Sequence, residues 1–292
     1  MKVKYIVNPA AGRGKGKRVW RQVEKFLIQE GYRYNVAVTT KSGEATELAA
    51  QAAADAYEVV VAVGGDGTIN EVANGIIGKD VALGIIPAGT GSDYVRTMAI
   101  PANPFDAARA IYTGNRVLVD VGYANGRYFL GVVGVGFDAE VCHIVNNKIP
   151  LLFGKAAYVA GVLMALAKFG PKWVRIDMDD MVVEEKVYLV AVANARYFGG
   201  GMLLAPHARI EDGLLDLCII KDVSKLELLR VFPRVFTGEH LNHKAFQTIR
   251  VKQVSISGPQ DWPIQAEGEI IGNLPLMVSV LSGALSVIIP AI

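Results

Sequence analysis

The sequence is short of cysteine, of histidine, of long apolar runs and of any excess of one charge. Only Cys142 and Cys218 occur in 292 residues, which excludes a disulfide framework and makes the reduced thiols of a cytoplasmic chain the expectation. Both sit in apolar contexts and read as buried rather than reactive. Lys+Arg number 30 against 28 Asp+Glu, a formal charge of +2. A chain so balanced does not bind nucleic acid through bulk charge, and any polyanion site must be a local cluster. The most tempting apolar stretch, Ala156–Ala167, lies between Lys155 and Lys168, well short of the about 20 residues a membrane span needs. It reads as a buried amphipathic helix, with contact to a bilayer surface as the sharper alternative. The first residues carry too short an apolar run for a signal peptide. Of the 4 His, His240 and His243 flank a helical turn beside Glu239 but lack the about four ligands of structural zinc, and His207 reads as structural. No repeat or low-complexity segment stands out.

What is plentiful is apolar side chain. Hydrophobic residues make up 52% of the chain and mean hydropathy is +0.31, which excludes disorder and allows large cores. In the first third, apolar runs alternate with helical patterns. Strands are expected over Val3–Val7, Tyr34–Thr39, Glu58–Val63 and Ala82–Ile86. Helices are expected over Lys17–Glu30, Glu44–Tyr57 with Ser42 as N-cap, Thr68–Ile77, and Asn103–Thr113 with Asn103 capping. That alternation predicts a parallel sheet covered on both faces.

The rhythm changes near residues 114–120. Arg116–Tyr123 and Arg127–Val135 read as strands joined at Asn125-Gly126, the strongest short hairpin signal. A helical stretch over Ala139–Lys168 follows. Short runs come next at Trp173–Met178, Val187–Val192, Leu215–Ile220, Thr248–Ser257, Ile264–Ala266 and Met277–Leu281. Such runs between turn residues predict an antiparallel sandwich or barrel. The expected fold class is therefore α/β plus β: a Rossmann-like doubly wound α/β domain over residues 1–117, then a C-terminal antiparallel β domain, β-sandwich or barrel, over 118–283.

Three glycine-rich turns carry the chemistry. Gly64-Gly65-Asp66-Gly67-Thr68-Ile69-Asn70-Glu71 follows a buried strand and opens a helix. Adjacent glycines let a ligand approach the backbone, and the helix behind offers free N–H groups and a positive dipole end. Asp66 is itself acidic and would reach phosphate through Mg2+. Pro87-Ala88-Gly89-Thr90-Gly91-Ser92-Asp93 also follows a strand, so both turns face the crevice where open α/β sheets bind ligands. Asn8-Pro9-Ala10-Ala11-Gly12-Arg13-Gly14-Lys15-Gly16-Lys17-Arg18 is the third, and its spacing is not that of a Walker A loop. Together the three point to a nucleoside triphosphate. The glycines of Gly131–Gly136 lie in a hairpin with no βαβ unit behind them, and they read as close backbone packing instead of a dinucleotide fingerprint.

GGDGTINE, PAGTGSD and the N-terminal NPAAG resemble the diacylglycerol kinase catalytic domain family, whose relatives include sphingosine and ceramide kinases. Gly199-Gly200-Gly201, Ala205-Pro206, Glu211–Asp216 and Glu267-Gly268-Glu269 fall in that family's order, so the likeness covers most of the chain. The resemblance implies an N-terminal α/β domain, completed by the returning strand at 284–292, and a C-terminal sandwich. It implies a lipid kinase that moves the γ-phosphoryl group of ATP to a lipid alcohol, most simply diacylglycerol, with Mg2+. By the same likeness, Asn8, Pro9, Ala10, Ala11, Gly12, Thr39, Gly64, Gly65, Asp66, Gly67, Thr68, Ile69, Asn70, Glu71 and Thr90 line the nucleotide, with Asp66 also catalytic. Asp93 and Arg96 face the acceptor, and Glu269 takes the proton from its hydroxyl. Asp212, with backbone oxygens of Arg209 and Leu214, holds a structural Mg2+ in the sandwich. Two departures stand out: Ser92-Asp93 where the family commonly has Asn-Asp, and Glu267-Gly268-Glu269 where it commonly has Asp-Gly-Glu.

The expected partners are a lipid alcohol and a membrane surface touched from the cytoplasm, the latter through Ile149–Phe169, with no nucleic acid. A homodimer is allowed. The runner-up is an NAD kinase-like phosphotransferase, and a third reading is a nucleotide- or lipid-binding module without catalysis.

Overall fold

The computed structural model describes residues 1–89, 91–148, 154–179 and 181–291, with side chains for all of these except 146–148 and 154–158. The chain forms two compact units, residues 1–119 with 283–292 and residues 120–282.

In the first unit, continuous apolar runs become the inner strands of a parallel sheet. Strands β1 (Val3–Val7), β2 (Asn35–Val38), β3 (Val59–Gly64) and β4 (Ala82–Pro87) pair in the order β4-β3-β1-β2. Val3 lies opposite Val59, and Val59 opposite Ala82. Every residue of β3 and β4 is buried, as both-face coverage requires. Helices α1 (Ala11–Gln29) and α5 (Pro104–Thr113) pack together, as do α2 (Glu44–Ala54) and α3 (Asp66–Ile76). A short α4 spans Asp93–Thr97. Residues 283–289 belong to this unit, and their Ser286 and Val287 lie parallel to Ala82 and Leu83.

Local chemistry fixes the helix starts. Asn103 caps α5 as expected, its Oδ1 accepting from the Phe105 N–H at 2.9 Å. The expected Ser42 cap of α2 is corrected: Gly43, at φ +81°, holds that position. α1 contains a left-handed turn at Gly12, Arg13 and Gly14, so its regular part starts beyond Gly14, and Val19, Trp20, Val23 and Leu27 form its buried stripe.

The second unit is antiparallel. Its strands are the later part of β5 (Asn115–Ala124), β6 (Arg127–Phe129), β7 (Val132–Gly136), β8 (Lys172–Met178), β9 (Met181–Ala193), β10 (Leu215–Lys221), β11 (Phe246–Val251), β12 (Gln253–Ser257), β13 (Pro263–Ala266), β14 (Glu269–Asn273) and the first part of β15 (Leu276–Ile289). They pair in the order β14-β13-β7-β9-β8-β12-β15, and β10 lies between β9 and β11. Val133, Val192, Ile256, Trp262, Ile264 and Leu276 are among the side chains of its core. The expected Asn125-Gly126 hairpin joins β5 to β6. The expected strand over Arg127–Val135 breaks at Leu130-Gly131, and the expected Thr248–Ser257 run is two strands. The helical stretch is α6 (Phe137–Lys148) and α7 (Gly154–Lys168); residues 149–153 of the expected lipid-facing segment lie outside the described residues. The sequence reading missed β14 and helix α8 (Lys225–Val231), the latter capped by the Ser224 hydroxyl accepting from the Glu227 N–H.

The histidines are separate. His240 is buried with Nε2 3.1 Å from the Leu204 carbonyl oxygen, while His243 holds Glu227 at 2.7 Å. Both cysteines are buried thiols outside any disulfide, and burial pushes the Cys218 thiol up to about 12.

Candidate functional site

Three loops meet at the carboxyl edge of β1, β3 and β4, and they meet backbone to backbone. A Cβ on Gly89 would lie 2.5 Å from the Gly65 Cα, and one on Gly12 would lie 2.5 Å from the Ala88 carbonyl oxygen. Only glycine permits both approaches. Asn8 ties the first loop to the second: its Nδ2 donates to Thr68 Oγ1 at 3.0 Å, and its Oδ1 accepts from the Ala10 and Ala11 N–H groups at 3.0 and 3.1 Å. Lys15 Nζ reaches the Gly89 carbonyl oxygen at 3.5 Å. The Pro9 carbonyl oxygen accepts from Lys17 N–H at the start of the regular helix. The result is an edge of main chain and small side chains, with the N-terminus of α3 behind it. Such an edge suits an anion of several phosphates.

The individual residues divide. Gly64, Gly65, Gly67 and Thr68 lie at the β3–α3 junction, and Thr39 directly follows β2, its N–H donating to the Val7 carbonyl at 2.9 Å. Ile69 is a core side chain, so only its main chain can serve a ligand. Asn70 bonds within α3, its Oδ1 accepting from Asn74. Thr90 lies outside the described residues. Glu71 holds α2: its carboxylate accepts from the Gly43 N–H at 3.1 Å and the Ala45 N–H at 3.3 Å. This is the cap that Ser42 was expected to provide.

Asp66 faces α4. Its two oxygens accept from the N–H groups of Asp93 and Tyr94 at 3.3 and 3.4 Å. Burial raises its pKa, and those backbone donors with the nearby Arg96 charge oppose the rise. Both bonds are long, so the carboxylate keeps acceptor capacity, and it fits a cation that takes one or two carboxylates alongside phosphate oxygens and water. Among the described residues, no three or more Asp, Glu, His or Cys side chains form a ready cation cage. Asp93 and Arg96 pair with each other at 2.8 Å. Ser92, just before them, is left-handed at φ +59°.

The second unit carries the Glu267-Gly268-Glu269 segment as a hairpin. Ala266 lies opposite Glu269, and the two loop residues have φ of +55° and +84°. Two positive φ values define the hairpin turn that Asn-Gly and Asp-Gly favour. Glu267 takes this strained place and compensates through its side chain. Its Oε1 accepts from the N–H groups of Leu130 and Gly131 at 2.9 and 2.6 Å. Those bonds explain the break between β6 and β7. Asn194 holds the same bend, its amide donating to the carbonyls of Leu130 and Asp120 at 3.0 Å each. Glu269 is exposed, at 71% of its side chain, and lies 3.7 Å from Arg127.

The sequence reading missed Asp138 and Gln265. Asp138 opens α6 and is buried, with Oδ1 accepting from its neighbour's Ala139 N–H at 2.8 Å and Oδ2 accepting from Gln265 Nε2 at 2.9 Å. Burial pushes its carboxyl up to about 6. The available signal was a polar residue inside an apolar run, at Val-Gly-Phe-Asp and at Ile-Gln-Ala. The glycines of Gly131–Gly136 pack as read: Gly131 makes room for Glu267, Gly134 for Asp138 and Gly136 for Trp262.

The expected structural cation site is otherwise engaged. Asp212 Oδ1 accepts from the Leu214 N–H at 3.2 Å, and Oδ2 is paired with the Arg250 guanidinium. A cation at Arg209, Asp212 and Leu214 would have to displace that guanidinium, so this donor set does not fit it as it stands. Nearby Asp120 Oδ2 accepts from the Gly213 N–H at 2.7 Å, and burial pushes Asp216 up to about 6.

The chain is similar to known proteins over nearly its whole length. A family model of the diacylglycerol kinase catalytic domain matches residues 2–124, and one of the YegS C-terminal NAD kinase beta sandwich-like domain matches residues 131–289. A diacylglycerol kinase of Bacillus subtilis (strain 168) is 32% identical over 277 residues, 94% of this chain and 91% of the relative. One of Staphylococcus carnosus (strain TM300) is 31% identical over 276 residues, 94% and 90%. A crystal structure of a diacylglycerol kinase candidate from Bacillus anthracis (strain Sterne) superposes with a TM-score of 0.81 at 26% identity, covering 99% of this chain and 96% of that one.

Two substitutions separate folding roles from binding roles. Glu71→Ala removes a two-amide cap and should cost about 1–2 kcal/mol in a denaturant melt, while leaving the apparent affinity for ATP within about twofold. Ser92→Asn places a residue more tolerant of left-handed backbone at φ +59° and should raise stability by about 0.5–1 kcal/mol in the same melt.

Proposed function

This chain belongs to the diacylglycerol kinase family, and from that premise we propose that it transfers the γ-phosphoryl group of ATP to the hydroxyl of a diacylglycerol. It is a lipid kinase by family; the acceptor and the residue roles are our reading. The observation that carries the roles is the glycine-only meeting of the loops at Gly12, Gly65 and Gly89, which leaves main-chain groups for the phosphates.

Phosphoryl transfer demands positioning, charge neutralisation and removal of one proton. In this reading Asn8–Gly12, Thr39 and the Gly64–Thr68 turn hold the nucleotide, and Lys15 adds positive charge beside Gly89. Asp66 would hold Mg2+, which when bound neutralises phosphate charge. Asp93 and Arg96 orient the acceptor. Glu269 takes the hydroxyl proton; its side chain is exposed on the second unit and so open to an incoming hydroxyl. The roles of Glu71 and Ile69 are structural. No step is assigned to a cation at Asp212.

A lipid acceptor also needs somewhere to put an alkyl chain. The second unit has an apolar cavity of about 50 Å³ walled by Phe137, Val162, Leu166, Tyr188, Phe232 and Phe246, among others. α7, which supplies Val162 and Leu166, also exposes Leu163 and Met164. An exposed apolar patch on a helix that borders such a cavity supports contact with a lipid surface. No helix among the described residues is long and apolar enough to cross a membrane.

The test is ATP consumption against dispersed diacylglycerol, other lipid alcohols and NAD, with products resolved by chromatography. Diacylglycerol-dependent consumption yielding a phosphorylated lipid is expected. Consumption with NAD and none with lipid would transfer the assignment to the NAD kinase reading, and no acceptor-dependent consumption would leave a binding module. Glu269→Gln should lower kcat by about 10²–10⁴-fold with ATP binding by calorimetry nearly unchanged. Equal loss of both would make Glu269 structural.

A further inference from the structure

Asp138 is a costly residue with no place in the mechanism above. A carboxylate without solvent is tolerated only where hydrogen bonds replace water. Asp138 has such bonds on both oxygens, from Ala139 N–H and Gln265 Nε2. Gln265 is itself fully buried, and with its Nε2 committed to Asp138, its Oε1 must face the other way. There it accepts from the Gly268 N–H at 2.9 Å. Gly268 is the second loop residue of the hairpin that presents Glu269. Asp138 therefore sets the direction of a chain of hydrogen bonds that ends in the turn. Gly134 completes the arrangement, since a Cβ there would collide with the Asp138 carboxylate.

We propose that Asp138 and Gln265 are positioning residues for the proton-accepting carboxylate: an acceptor–donor–acceptor relay, Asp138 to Gln265 to the Gly268 amide, that holds the Glu267-Gly268 turn and with it Glu269. The proposal rests on the assignment of Glu269 as base. Its logic is polarity. Asp138 accepts at both oxygens, with an N–H donor on each. An amide at the same place has one acceptor and one donor. If Asn in place of Asp138 keeps its oxygen on the Ala139 N–H, its NH2 faces the Gln265 NH2. Gln265 can turn over to relieve that clash, but its NH2 then faces the Gly268 N–H, and the turn loses its support. If the Asn oxygen faces Gln265 instead, its NH2 faces the Ala139 N–H and the start of α6 is lost.

The same rule states the rescue. With Asn in place of Asp138 and Glu in place of Gln265, the Asn oxygen accepts from Ala139, its NH2 donates to one Glu oxygen, and the other Glu oxygen accepts from Gly268. Every group is paired again, at equal net charge. Asp138→Asn alone should lower kcat for lipid phosphorylation by about 10–100-fold, with KM for ATP within about twofold. The double variant Asp138→Asn with Gln265→Glu should return kcat to within about fivefold of the wild-type protein. Hydrogen exchange of the Gly268 amide gives a second readout: slow in the wild type, at least about tenfold faster in the single variant and slow again in the double.

A merely structural pair would move thermal stability without this split or this rescue. If Asp138→Asn fails to fold, the double variant is compared with the wild type directly. A folded double variant of near wild-type kcat and slow Gly268 exchange supports the relay. An unchanged kcat and Gly268 exchange in a folded single variant overturns it, as does a double variant no better than the single one. If the wild type shows no lipid-dependent turnover, the kinase reading fails separately, and exchange at Gly268 alone decides whether the relay exists.

Discussion

Everything proposed for the first unit depends on one close approach. The main chains of the β3–α3 and β4–α4 loops touch at Gly65 and Gly89, and the β1–α1 loop leans on Ala88 at Gly12. A parallel sheet buried on both faces brings these loops to the same edge, because β1, β3 and β4 run in one direction and in register. Side chains at the contacts would push the loops apart and cover the amides. The glycines are therefore consequences of packing and, by the same geometry, what leaves N–H groups for an anion. Asn8 and Asp66 then work as braces, one between the first two loops and one between the second and the third.

The second unit solves a different problem, that of placing charge inside an apolar sandwich. Glu267, Asp138, Asp120 and Asp212 each accept from backbone N–H groups, and Gln265 and Asn194 carry hydrogen bonds between segments distant in sequence. Such groups weaken a core unless fully paired, so their pairing dictates where strands stop and turns form. The interruption at Leu130-Gly131 is the clearest case, because the Glu267 carboxylate claims amides that a continuous ladder would otherwise use.

Much of this was legible in the amino-acid order. β1 was read to the residue, Asn103 was found as a cap, and the hairpin at Asn125-Gly126 formed where the dipeptide stands. These features are local: a buried run, a side chain that reaches two residues on, a turn that needs positive φ. The α/β-plus-β class followed from the change of rhythm, and the choice of a sandwich from the resemblance of the motifs. What stayed hidden was set by contacts far along the chain. Ser42 looked like a cap, but Glu71, 28 residues beyond Gly43, supplies the acceptor. β14 was missed because its residues are mostly exposed and show little apolar alternation. Asp138 and Gln265 are 127 residues apart, and neither neighbourhood announces the other. The two departures at Ser92 and Glu267 acquire a common meaning only from the backbone: both fall at left-handed φ, where Asn and Asp fit better.

The account stands or falls on main-chain recognition of the triphosphate. Its most direct measurement is the backbone amide spectrum of the isotope-labelled protein during titration with a non-hydrolysable ATP analogue and Mg2+. The amides of Gly12, Gly65, Gly67 and Gly89 should shift together and saturate at one ligand per chain. Saturable binding that leaves those four amides in place while others move would contradict it.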